Sequence, residues 1–269
     1  MNGQFSTRVI TLMPVAIAIN IVLGVTVQQV LKLPIYLDSI GTILVGVLAG
    51  PIAGALTGIL SNLIWQYAPG IGGGTIGPFA VTAGVIGLLA GLWGQLGVYR
   101  SRPANGTTLW VPTAIAVAII LLLASRIYGN PAYNDPTYFV SWYSTAILIV
   151  AVAISVAVIA WVLIKHDAAG AWVALAGAVT GIVAAIVSAP ISAYVFGGVT
   201  GGGTDVIVAA LRQGGSDVLN ASLGQGFFSD PIDKVITSFV VFVIVASLSP
   251  RLLARFPNGE RLVGSEATV

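Results

Sequence analysis

The chain has no cysteine, one histidine and three lysines, and only 7% of its 269 residues are charged. Without cysteine there are no disulfides and no thiolate metal sites. The lone histidine, His166 in "KHDAAG", reads as solvated surface, and one histidine without cysteine does not furnish a catalytic metal centre. No lysine follows a glycine, so the G-K-[ST] of a phosphate loop is missing and ATP hydrolysis by that route is excluded. "GIGGGTIG" holds a literal G-x-G-x-x-G at Gly72, Gly74 and Gly77. That pattern binds dinucleotides only after a strand and within a βαβ unit, and here it links two apolar segments. The chain is therefore read as a non-enzyme with no cofactor.

The shortage of charge decides the class. Soluble domains carry about 25% charged residues. With 57% hydrophobic residues and a mean hydropathy of +0.99, this chain cannot cover a water-facing surface. It reads as an integral membrane protein, and a net charge of +2 gives no reason to expect nucleic acid. The apolar stretch after Arg8 is longer than a signal h-region and has no small-x-small cleavage site, so it reads as a retained first helix.

Crossing a ~30 Å hydrocarbon core takes roughly 20 apolar residues. Eight candidate spans result, at 9–31, 37–49, 51–67, 76–98, 108–127, 139–164, 170–190 and 231–249. The second is short, and Gly50-Pro51 turns it straight into the third as a tight helical hairpin. With both termini cytoplasmic, Arg8, Arg100, Arg102, Lys165, Arg251, Arg255 and Arg261 lie inside, against Lys32, Arg126, Arg212 and Lys234 outside. That split follows the positive-inside rule. The expected location is the cell membrane, multi-pass, in a single domain spanning residues 1–269. "GALTGIL" (54–60) and "GAVTGIV" (177–183) repeat a small-residue pattern, which suits close helix packing.

No predicted span carries a carboxylate near its centre, which argues against a proton relay. Polar groups instead collect at the predicted outer ends of spans. The candidate binding residues are Asp38, Asn62, Trp65, Gln66, Tyr194, Asp230 and Asp233. Plainer roles stand beside this one. Asp230 before Pro231 is an N-cap pattern, Asp38 suits a helix N-terminus, and Trp65 fits an interfacial aromatic. Asn62 and Gln66, one helical turn apart, either bond a neighbouring helix or line a pocket. The 191–230 stretch reads as a glycine-hinged outer segment, with a short helix in "TDVIVAALRQGG", and serves either as a lid or as a passive cover.

Four blocks carry a resemblance: "KLPIYLDSIGTILVGVLAGPIAGALTGILSNLI", "PFAVTAGVIGLLAG", "IVSAPISAYVFGGVTGGGTD" and "SDPIDKVITSFVVFVIV". Together they resemble S components of energy-coupling factor (ECF) transporters, the substrate-specific membrane subunits for vitamins and micronutrients. The resemblance covers 8–98 and 170–256. It implies an all-α polytopic protein with a six-helix core, to which 107–167 would add an inserted two-helix hairpin, about eight transmembrane helices in all. It further implies outer-face capture of a small vitamin-like molecule and partnership with a transmembrane scaffold subunit and two ATPase subunits. The family's A-x-x-x-A scaffold contact has its counterpart at Ala16, Asn20 and Gly24, where asparagine and glycine replace the later alanines. The alternative from another class is a membrane sensor that binds a ligand without transporting it.

Overall fold

The structure is a computed structural model that describes residues 4–68, 75–102, 106–128 and 167–263, with isolated helical positions between 149 and 164. Among the described residues it is all-helical, with no β-strand. The helices are α1 (Thr7–Gly24, continued by a π-helical end, Val25–Val30), α2 (Ile40–Ala49), α3 (Pro51–Tyr67), α4 (Ala80–Gln95) and α5 (Gly106–Tyr128). There follow α6 (Ala169–Phe196), α7 (Asp205–Gln213), α8 (Val218–Ser247) and two short turns, α9 (Pro250–Leu253) and α10 (Gly259–Leu262). Among the described residues, three segments are long and apolar enough to cross a membrane: Thr7–Val30, Gly77–Gln95 and Ala169–Val195.

The second helix sits at the centre. All ten residues of α2 are buried, so at about 1.5 Å per residue it is a 15 Å plug inside the bundle. Gly50 ends it with φ +114°, a backbone state that L side chains avoid. Pro51 then starts α3 at a position where its missing N–H costs nothing, and the hairpin expected at Gly50-Pro51 is present.

Small residues set the helix spacing. A Cβ on Gly87 of α4 would lie 2.2 Å from the Gly54 carbonyl carbon of α3, and one on Gly58 would lie 2.4 Å from the Ala83 carbonyl oxygen of α4. A Cβ on Gly181 of α6 would lie 2.3 Å from the Pro231 Cα of α8, and one on Gly177 would lie 2.6 Å from the Lys234 carbonyl oxygen. The two repeated heptapeptides therefore each supply a backbone-to-backbone packing face. Outside this core, Ala116 and Ile120 of α5 pack on Ala174, Ala178 and Val235. The second limb of the expected hairpin at 107–167 lies outside the described residues, isolated positions apart.

Asn20 binds the first three helices together. Its amide donates to Thr42 Oγ1 at 2.8 Å and Ser61 Oγ at 2.9 Å, and its oxygen accepts from the Gly41 N–H at 2.7 Å. That last bond satisfies one of the orphan donors at the start of α2. Ala16 and Asn20 are almost fully buried, and a Cβ on Gly24 would strike the Trp65 ring at 2.5 Å. The expectation that Ala16, Asn20 and Gly24 face a scaffold partner is corrected: this face is used up inside the chain. Ile10, Val15 and Val22 are exposed on the other side of α1.

One end of the bundle is basic. The chain after α8 folds back, so that the Asn258 backbone N–H donates to Leu48 O at 3.0 Å and its side chain to Val47 O at 3.0 Å, closing the C-terminus of α2. Arg261 donates to Gln95 O at 2.7 Å beside Arg100 and Arg102. Gly50 and the start of α3 lie at this end, and the C-terminal half of α3 leads to the other.

Close packing without Cβ atoms is testable. Gly87→Ala should cost about 1–3 kcal/mol through overpacking, read as a lower melting temperature of the purified protein. Gly202→Ala, whose Cβ meets nothing nearer than 3.6 Å, should stay within about 0.5 kcal/mol. Equal melting temperatures would show that the α3–α4 contact tolerates a methyl group.

Candidate functional site

At the end opposite the arginines, the helices enclose a cavity of about 320 Å³. Its wall is polar and aromatic. Carboxylates come from Asp38 and Asp230, amides from Gln28, Asn62 and Gln225, and rings from Tyr36, Trp65 and Phe79. Thr200, Gly201, Gly202 and Thr204 form one side. That loop is anchored by Asp205, which accepts from the Thr200 N–H at 3.0 Å, Thr200 Oγ1 at 2.8 Å and the Gly201 N–H at 2.6 Å. The Thr75 hydroxyl donates to Thr200 O at 2.7 Å and ties the loop to the approach to α4.

The charged group at this wall comes from the middle of α8, with Asp230 and Lys234 lining the cavity. That helix runs unbroken from Val218 to Ser247 through Pro231, so Asp230 is not an N-cap. The real cap is Asp217, which accepts from the Asn220 N–H at 2.9 Å. Asp230, Asp233 and Lys234 therefore lie at mid-helix, all buried, where the sequence put them at the start of a helix. Lys234 also leaves the set of outer loop cations.

Lys234 Nζ bonds Asp233 Oδ2 and donates to Ser39 Oγ at 2.7 Å, with Asp38 Oδ1 at 3.8 Å. The other oxygen of Asp233 accepts the backbone N–H groups of Tyr36 and Leu37 at 3.1 and 2.7 Å. Leu37 has φ +52°, a strained state for a branched side chain, and the carboxylate holds it there. A buried charge needs a partner and hydrogen bonds to be tolerable. Asp233, fully buried, has both.

The expected site residues divide accordingly. Asp38, Asn62, Trp65 and Asp230 share the cavity wall. Asp38 accepts from Gln28 Nε2 at 2.9 Å and makes no side-chain cap to α2. Asp233 stands behind the wall as the clamp on 36–37. Gln66 turns away, accepting the Gly77 N–H at 2.8 Å. Tyr194 is 76% exposed on the outer face of α6 and is not on the wall. Asn62 and Gln66 thus split the two roles open to them.

Gln28, Tyr36, Phe79, Thr82 and Gln225 were not anticipated. Gln28 reaches the cavity from the π-helical end of α1, where an altered register re-aims side chains, a feature frequent at functional sites. Its polarity within an apolar run was the available signal. Tyr36 is fixed by Gln225 Nε2, which donates to its hydroxyl at 2.9 Å. Thr82 Oγ1 and Trp65 Nε1 are buried with no hydrogen-bond partner in the protein. A buried unpaired donor costs about 1–3 kcal/mol, so both are uncompensated polar groups within the packed wall.

Comparison with family models, curated proteins and solved structures finds no match.

Removing one partner of a buried pair costs about 3–5 kcal/mol. Asp233→Ala should therefore lower the melting temperature strongly, while Tyr194→Ala should change stability by no more than about 0.5 kcal/mol. An Asp233→Ala protein as stable as its parent would remove the clamp on 36–37 from the account.

Proposed function

We propose that the chain is the substrate-binding membrane subunit of an ECF-type, ATP-driven importer for a vitamin or related micronutrient. The observation that carries this reading is the cavity, whose wall combines aromatic rings, carboxylates and amides. Binding sites for small molecules are typically concave, mostly apolar and set by a few polar groups. The four sequence blocks support the family, and the α2, α3, α4, α6 and α8 helices that surround the cavity come from them. The missing phosphate loop fits a subunit that borrows its energy from ATPase partners.

In this reading the chain spans the cell membrane about eight times, as a six-helix core with an inserted hairpin, and both termini are cytoplasmic. The basic end then faces the cytoplasm, in line with the positive-inside rule, and the cavity faces outward. Substrate enters beside the 200–204 loop, which serves as a lid: Gly198 and Gly201 at its hinge have φ of +85° and +83°, and Asp205 latches it. Because the small face of α1 is buried, the scaffold subunit meets other surfaces, including the exposed apolar side of that helix.

Uptake tests the reading. Cells expressing this chain with scaffold and ATPase subunits should accumulate substrate, and a Walker-lysine variant of the ATPases should abolish accumulation. The purified chain in liposomes should bind without concentrating anything. Concentrative, ATP-independent uptake by the chain alone would overturn the proposal, and binding without uptake in the complete assembly would favour the sensor.

A further inference from the structure

We propose that the cavity takes a small, flat organic cation, with Asp230 as its counter-charge. This rests on the reading of the cavity as a ligand site and names the chemistry that the site selects.

The first argument is charge. Three carboxylates, Asp38, Asp230 and Asp233, surround one ammonium, Lys234. Two of the three are compensated: Asp233 by Lys234 and two backbone N–H groups, Asp38 by Gln28 and the 3.8 Å approach of Lys234. Asp230 is different. Its one hydrogen bond is from Ser188 Oγ, at a long 3.4 Å. It lies on the cavity wall, 5% exposed, one helical turn from Lys234, which also lines the cavity but whose ammonium is taken up by Asp233, Ser39 and Asp38. A buried carboxylate held by a single long hydrogen bond and a shared ammonium is costly. An ammonium or a positively charged heterocycle in the cavity would remove that cost. A ligand carboxylate would add a fourth acid to the group, and a neutral ligand would leave Asp230 as it is.

The second argument is the aromatic lining. Trp65 is 1% exposed, and the far edge of its benzene ring is wedged against Gly24. Its indole N–H, which only donates, finds no acceptor in the protein, and neither does the nearby wall hydroxyl of Thr82 a partner. Both atoms are closed off within the wall, so the aromatic faces and not these donors border the open space. The rings favour the same class, since a cation over an aromatic face is attracted by it. Lys234 Nζ already lies 6.0 Å from the centre of the Tyr36 ring, so that ring borders the charged group. The volume of about 320 Å³ is at the small end of the range for ligand pockets and suits a molecule of one or two rings.

Three probes of one shape separate charge from fit: 1-methylnicotinamide (cation), 3-methylbenzamide (neutral) and 3-methylbenzoate (anion). Titrated calorimetrically into the full chain in detergent, the cation should bind at least tenfold tighter than either of the others. Asp230→Asn should erase that preference, and Asp230→Glu should keep it. Asp38→Asn, at a compensated carboxylate, should reduce the preference less, and it reports on charge if the Asp230 variants do not purify. Equal binding of all three probes, or a preference that survives Asp230→Asn, would overturn the cation proposal and leave the cavity a ligand site. Binding of none would overturn both.

Discussion

A lysine and an aspartate side by side at the middle of a long helix govern this structure. Buried charge is tolerated only when paired and hydrogen-bonded, and the partners of Asp233 and Lys234 come from the link between α1 and α2. That requirement ties α8 to the front of the chain. It fixes Tyr36 and Leu37 in place, holds Asp38 and Ser39 at the start of α2, and thereby sets one wall of the cavity. The wall chemistry follows from structural necessity: Asp38, which approaches Lys234, borders the cavity together with Lys234 itself, while Asp233 holds both from behind.

Close packing makes the rest of the enclosure. Gly177 and Gly181 let α6 approach α8 along the turns that carry Pro231 and Lys234, so the charged group is covered by backbone and not by bulky side chains. Gly54, Gly58 and Gly87 do the same between α3 and α4. With these helices drawn together at small residues, larger side chains such as Trp65 and Phe79 define the open end. A bundle held by leucines alone would be wider and would lack this gradient from glycine contact to aromatic rim. The gradient places binding chemistry at one end and the basic, tail-capped end at the other.

Much of this was legible in the sequence, and the failures have physical causes. The membrane class followed from charge poverty, the α2–α3 turn from Gly50-Pro51, and α7 from the residues after Thr204. Asp38, Asn62, Trp65 and Asp230 were found because a polar group in an apolar run needs a reason. The length of α8 was missed because Asp-Pro ordinarily starts a helix, whereas here the proline sits inside one, and helices packed within membranes tolerate that. That error hid the mid-helix position of Asp230 and Asp233. Asn20 was misplaced on an outer face because small-residue spacing shows which residues permit close approach, but not to which neighbour. Gln66 and Tyr194 were polar at the right height, yet helix rotation, set by packing, turned them away. Gln28 depended on a π-helical end that no local pattern announces.

The central claim is that the space between Trp65 and Asp230 holds a small molecule, and native mass spectrometry of the protein extracted gently from its own membrane tests it most directly. The parent should carry a low-mass adduct. Ala184→Phe, which fills the cavity from a nearly fully buried wall position, should lose that adduct while remaining folded by gel filtration. An adduct kept at full occupancy in the filled variant would contradict the account, because the molecule would then be held somewhere else.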